Sequence, residues 1–230
     1  AADIDADRRH PRKRARPFAA GALSPAWGLA AAAALIASGA LLAAAAQVLG
    51  LVALYVAMTT AYTFWLKRVL LVDVFALAGL YTVRVLIGGE AAGFPASDWL
   101  LAFSCFFFLS LALVKRATET RDLEARGGGA VDGRSYLSGD SGVLTLMGVS
   151  AGFVAALVLA LYLQDDAVAA NYGRPLLLWA LPAATLLWVS RLWLKVSRGE
   201  MHDDPIVFAA RDAWSWAVGL FAAVCFFAAA

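Results

Sequence analysis

Seven stretches of this chain, near residues 24–46, 48–66, 69–88, 97–114, 141–163, 174–195 and 211–229, are apolar over close to a full bilayer width. A hydrocarbon core asks for roughly 20 such residues in helical form. Only helices or closed barrels satisfy every backbone N–H and C=O in lipid, and these Ala/Leu/Val/Phe runs lack the two-residue alternation of a barrel strand. The pattern predicts an all-α, polytopic transmembrane helix bundle with seven spans visible. Composition agrees: 62% of the residues are hydrophobic and only 16% charged, and the mean hydropathy of +0.74 lies outside the usual soluble range. Gly148 and Gly152, four apart in the fifth stretch, permit a close helix–helix approach.

The charges fall on one side of this frame. With the N-terminus cytoplasmic, seventeen of the nineteen Lys and Arg residues lie at the cytoplasmic face, while Arg174 is external and Arg84 is inside a span. That asymmetry follows the positive-inside rule. It predicts an integral protein of a bacterial inner (plasma) membrane, with cytoplasmic loops near 1–17, 115–140 and 196–211. Cations committed to a membrane surface point to a phosphorylated lipid as partner and not to nucleic acid. Oligomeric state is left open by the sequence.

Acids are mixed into the same face, which topology neither requires nor forbids. Asp3, Asp5 and Asp7 run into Arg8, Arg9, His10, Arg12, Lys13, Arg14 and Arg16. Asp3 and Asp7 share a face if helical, so they could ligate one hard cation. Further patches are Lys67-Arg68 with Asp73, Lys115 to Asp140, and Arg191 through Asp204 to Arg211. Carboxylates among Lys and Arg suit Mg²⁺ and a diphosphate, the metal bridging phosphate oxygens to Asp and the cations neutralising the rest. A solvated loop whose acids offset its bases is the plainer alternative. Asp73 and Arg84 are eleven apart and share a helix face. Asp73 and Lys67 fall within reach of a site at the cytoplasmic mouth, and Arg84 does not. Tyr62 and Tyr81 could wall such a site. His202-Asp203-Asp204-Pro205 reads as a helix start with Asp204 as N-cap. Gly127-Gly128-Gly129 reads as a flexible loop, and Cys105 and Cys225 as unpaired residues inside spans.

Asp3-x-x-x-Asp7 followed by Arg-Arg-His-Pro-x-Lys-Arg-x-Arg-Pro resembles the end of the first aspartate-rich motif of UbiA-type intramembrane prenyltransferases. The resemblance continues at Tyr62-x-x-x-Leu66-Lys67-Arg68, at Asp73-Val74, at Leu80 to Arg84 with Gly88, and at Lys115-Arg116-x-x-Glu119. It implies a nine-helix family fold of which two helices would precede residue 1, making the whole 1–230 chain a fragment of one transmembrane domain. It also implies Mg²⁺ held by Asp3, Asp7 and Glu119, with diphosphate contacts from Arg9, Lys13, Arg16, Lys67, Arg68, Lys115 and Arg116. Lys67, Asp73, Lys115 and Tyr62 would be catalytic. The implied reaction is prenyl transfer from a polyprenyl diphosphate to an acceptor.

One departure redirects that expectation. Aromatic-acceptor members carry a second Asp-x-x-x-Asp where this chain has Lys-Arg-Ala-Thr-Glu-Thr-Arg-Asp. The variant looks closer to the branch that transfers phosphoribose from phosphoribosyl diphosphate to a polyprenyl phosphate. It also resembles proteins in which a soluble haloacid-dehalogenase-like domain precedes the membrane domain. A non-catalytic transporter or scaffold would place charges nearer the bilayer midplane or break its helices there. Here the acids gather at one face.

Overall fold

The computed structural model describes residues 17–131, 133–165, 172–201 and 204–230, and the chain divides into two compact units, up to Val52 and from Ala53. The first unit holds α1 (Pro25–Ala45). Its N-cap Ser24 accepts from the Trp27 N–H, and Pro25 occupies the first turn, where its missing N–H removes no helical bond. Trp27, Leu35, Ile36 and Leu41 are all exposed. An apolar surface all round a helix is what hydrocarbon accepts.

The dividing point lies within α2 (Leu49–Phe64), whose 16 residues rise about 24 Å at ~1.5 Å each. That falls short of a bilayer core, so the span expected at 48–66 is a shorter helix. The second unit continues with α3 (Val72–Ala91), α4 (Asp98–Ala125), α5 (Ser141–Tyr162), α6 (Ala180–Ser197), α7 (Pro205–Arg211) and α8 (Ala213–Ala229). Among the described residues, five helices are long and apolar enough to cross a membrane, or six if α7 and α8, bent by 82°, form one broken span. The seven spans of the sequence reading are thus five full helices, one bent pair and one short helix. The chain is an integral membrane helix bundle.

Two stretches expected as loops are helical. Residues 115–125 continue α4, because nothing between Lys115 and Ala125 breaks a helix. The stop comes at Gly127 (φ 106), with Gly128 N–H to Leu123 O at 2.9 Å and Gly127 N–H to Glu124 O at 3.2 Å, a Schellman ending. Within 196–211, α7 forms from the predicted Asp204 cap, whose side chain accepts from the Ile206 N–H. The glycine run expected to be a flexible loop is therefore a helix stop that leads into a hairpin. There Ala130 and Leu137 form an antiparallel bridge, and Val131 N–H meets Tyr136 O at 2.9 Å.

Helix α4 is central, packing on α3 and α5, while α5 also packs on α6. Gly148 and Gly152 make that approach possible. A Cβ on Gly148 would lie 2.0 Å from Cζ2 of Trp193, and one on Gly152 would lie 2.4 Å from Cγ1 of Val189. A buried Ser110 ties the three helices together. Its Oγ donates to Gly148 O at 2.7 Å and accepts from Trp193 Nε1 at 3.0 Å.

Candidate active site

The chain enters α3 through a strained turn. Val72 N–H bonds Leu70 O at 2.8 Å, closing a γ-turn on Leu71 at φ 63 and ψ −35. A branched residue held there costs on the order of 1–3 kcal/mol and persists only when its surroundings over-determine it. Tyr136, from the hairpin between α4 and α5, supplies the brace. Its hydroxyl accepts from the Leu71 N–H at 3.2 Å and donates to Oδ1 of Asp73, two residues on in the first turn of α3. Tyr136 is buried in the core. Burial first, and then the bond to Asp73, push its phenol well above the ordinary value, so it stays a neutral donor.

The other oxygen of Asp73 faces two guanidinium groups, Arg134 Nη1 at 3.1 Å and Arg116 Nε at 3.4 Å. Both arginines turn next to Glu119. Arg116 Nη1 bonds its Oε2, and Arg134 Nε lies 3.9 Å from the same atom. Arg134 Nη1 also reaches the Tyr62 hydroxyl at 3.5 Å. Burial alone would lower the Arg134 pKa, but the bond to the Tyr62 hydroxyl and the nearby Glu119 and Asp73 carboxylates outweigh it and raise the value. Two carboxylates and two cations thus alternate, and their charges cancel. Exposure grades across them: Asp73 is 0% exposed, Arg116 1%, Arg134 19% and Glu119 34%. The inner pair is sealed and the outer pair is open.

Lys115 precedes Arg116 in α4 yet faces a different neighbour. Its Nζ meets Asp204 Oδ2 at 3.1 Å. The pair borders a small cavity of about 60 Å³ walled by Leu77, Tyr81, Phe108 and Pro205, with Tyr81 stacked on Phe108 at 5.0 Å. Both charged groups are more than a third exposed, so the ion pair contributes little after solvent screening. We expect Asp204→Ala to cost about 1 kcal/mol, through loss of the α7 cap more than of the pair. Thermal unfolding in detergent, compared with Lys115→Ala, separates the two contributions.

Of the residues expected in one site, the structure brings together Tyr62, Asp73, Arg116 and Glu119. It puts Lys115 with Asp204 instead. Lys67 lies in a 3₁₀ turn (Leu66–Arg68), half-buried and without an ion pair among the described residues. Arg68 is exposed, and its carbonyl accepts from Ser135 Oγ. Arg116, expected to contact diphosphate, is instead sealed between Asp73 and Glu119. Arg84 stands apart, its Nε donating to the Tyr55 hydroxyl at 2.9 Å while its guanidinium lies over the Tyr55 and Tyr81 rings. Asp3, Asp7, Arg9, Lys13 and Arg16 lie outside the described residues. Arg134 and Tyr136 escaped the sequence reading. Their one signal is a cation and an aromatic within a glycine-rich loop, where no periodicity marks which side chain turns inward.

The donor set can be tested against a divalent cation. Both oxygens of Asp73 are taken by Tyr136, Arg116 and Arg134, which rules it out as a ligand in this arrangement. Among the described residues no three His, Cys, Asp or Glu side chains gather. Glu119 does fit. Its carboxylate is partly open, and Mg²⁺ is commonly held by one or two carboxylates with water and substrate phosphate completing the octahedron.

A buried Asp on α3 meeting a Lys-Arg-x-x-Glu helix end, at the charged end of an apolar bundle, agrees with what whole-chain comparison finds. Residues 1–216 match the model of the UbiA prenyltransferase family. The chain belongs to that family. An uncharacterized protein, y4nM, of Sinorhizobium fredii is 38% identical over 98% of this chain and 44% of its own length. Nodulation protein NoeC of Azorhizobium caulinodans is 36% identical over 90% of the chain and 68% of that protein. A decaprenyl-phosphate phosphoribosyltransferase of Mycolicibacterium smegmatis is 39% identical over 55% of the chain and 41% of that enzyme. This UbiA-family chain therefore spans less than half the length of two of these three relatives.

Proposed function

We propose that this UbiA-family chain is the membrane domain of a Mg²⁺-dependent transferase whose leaving group is diphosphate, and that it moves phosphoribose from phosphoribosyl diphosphate to a polyprenyl phosphate. The observation that carries the reading is the open edge of the cluster, where the Glu119 carboxylate and the Arg134 guanidinium stand side by side. Such an edge offers a carboxylate to a metal and a cation to phosphate oxygens. Glu119, with Asp3 and Asp7, would hold Mg²⁺, which when bound would neutralise charge building on the departing diphosphate. In the reaction a lone pair of the lipid phosphate oxygen forms the new bond to the anomeric carbon. The carbon–oxygen bond to diphosphate breaks, and diphosphate leaves with that electron pair.

The side chains of this domain would bind and orient. Asp73 keeps Arg116 and Arg134 in register, and Lys115 with Lys67 adds positive charge at the mouth. Tyr81 and Phe108 offer an apolar wall beside Lys115, which suits the first units of a lipid chain. The charged end would face the cytoplasm of a bacterial inner membrane, as the cation bias favours. Two features support phosphoribosyl over prenyl transfer: Lys115-Arg116-x-x-Glu119 standing where aromatic-acceptor members carry a second Asp-x-x-x-Asp, and the named reaction of the mycobacterial relative. The family's name keeps prenyl transfer from a polyprenyl diphosphate as the second reading.

The two readings use the lipid in opposite roles, as nucleophile or as electrophile. The test presents the protein in nanodiscs with labelled phosphoribosyl diphosphate and decaprenyl phosphate, and separately with prenyl diphosphates and aromatic or lipid acceptors. Mass of the lipid product is the readout, and a lipid-linked pentosyl phosphate is expected. Product in the second arm alone would overturn the pentosyl assignment. A folded protein that makes product in neither arm would point to a transporter or scaffold.

A further inference from the structure

Of the two buried-side arginines in the cluster, one is placed to meet a ligand and the other is not. Arg116 is 1% exposed, with Asp73 on one side and Glu119 on the other. Reaching a substrate would require breaking both pairs and reopening the packing of α3 against α4. Arg134 is 19% exposed and comes from the hairpin, not from a helix. Its Nη1 is fixed by Asp73 at 3.1 Å and by Tyr62 at 3.5 Å. Its Nε edge lies 3.9 Å from Glu119, too long for a hydrogen bond. Among the described residues, Nη2 meets no acceptor. A guanidinium carries five donors in one plane, and here one nitrogen anchors while the other two keep capacity beside an open carboxylate.

We propose that Arg134 is a diphosphate-binding residue of this site, and that Tyr136 and Asp73 act as positioning residues which hold it there. The inference rests on the diphosphate chemistry proposed above. The hairpin fixes Arg134 through a short relay. Tyr136 is buried two residues further along the same loop and donates to Asp73 Oδ1, while Asp73 Oδ2 receives Arg134. Tyr136 thereby pins both the loop and the carboxylate that aims the arginine. A bidentate arginine suits a phosphate oxygen pair better than a lysine would, and the other arginine of the described cluster, Arg116, is sealed at 1% exposure, so its donors are closed to a ligand.

The experiment measures binding first and turnover second. Pyrophosphate with Mg²⁺ is titrated calorimetrically into the protein in nanodiscs, for wild type, Arg134→Gln, Arg134→Lys and Tyr136→Phe. Thermal unfolding is recorded for each. We expect Arg134→Gln to weaken pyrophosphate binding by about 10- to 100-fold, the loss of one or two charge-assisted hydrogen bonds. Its unfolding temperature should stay close to wild type, because the side chain is partly exposed. Arg134→Lys should recover part of the affinity. Tyr136→Phe should weaken binding by a smaller factor and raise KM for the diphosphate substrate more than it lowers kcat, a split that mere loss of folded protein does not produce. Unchanged affinity in Arg134→Gln, with wild type binding normally, overturns the assignment and leaves the proposed reaction standing. A failure of Arg134→Gln to fold shifts the decision to Arg134→Lys, where wild-type affinity likewise overturns it. Wild-type protein that binds no pyrophosphate removes the diphosphate site itself, and both readings fall with it.

Discussion

Replacing Asp73 with alanine is expected to destabilise the bundle by about 3–5 kcal/mol, the usual cost of leaving a buried charge without its partner. Asp73 is fully buried and Arg116 is only 1% exposed, so solvent cannot take over the lost interaction. The same change frees the Tyr136 hydroxyl, which still braces the Leu71 turn but no longer has an acceptor. Activity should be lost with stability, so thermal unfolding in detergent must accompany any assay. A second variant tests the physical cause. Asp73→Leu combined with Arg116→Met removes both buried charges, and apolar replacement of a buried pair is often neutral or stabilising. The double variant should therefore melt above Asp73→Ala. If it melts lower still, the carboxylate's contacts to Tyr136 and Arg134 matter more than the Arg116 charge.

Gly148→Ala should destabilise by about 1–3 kcal/mol, the range for overpacking a tight contact. The new methyl would lie 2.0 Å from one ring carbon of Trp193 and 2.4 Å from the next. The ring must leave, breaking its bond to Ser110, or α5 must move off α6. Either route opens the junction that Ser110 closes. Gly142, in the first turn of the same helix, has open space where a Cβ would go, and Gly142→Ala should leave stability unchanged or improve it by up to about 1 kcal/mol. Parallel unfolding curves of the two variants, with and without Trp193→Leu, check the mechanism. Equal behaviour of Gly148→Ala and Gly142→Ala would show that the small residues reflect composition and not packing.

Much of the architecture was legible because lipid leaves so few options. Long apolar runs and the Asp204-Pro205 helix start reported correctly on helices, and the charged residues of α3, α4 and the hairpin do meet. The length of α2 and the extension of α4 were less legible, since hydropathy ends where charge begins while a helix continues until a residue such as Gly127 stops it. The candidate site was readable only where a helix face or a family motif marked a residue. Asp73 was legible from its place near the start of a helix. Arg116 and Glu119 were legible from the resemblance of Lys115-Arg116-x-x-Glu119, although a loop was expected there, and Arg134 and Tyr136 carried neither signal.

What the sequence determined by itself is the class of molecule, an all-helical membrane bundle, because long apolar runs in hydrocarbon must satisfy their backbone within helices. Only the tertiary structure decided which charges are sealed and which are open. Lys115 and Arg116 are neighbours in sequence, yet one faces Asp204 at the rim and the other is enclosed by Asp73 and Glu119. Adjacent positions on a helix point about 100° apart, and burial depends on what the α3 turn and the hairpin place opposite each. That arrangement passes through Tyr136, sixty-three residues from Asp73, a separation that no local pattern can encode.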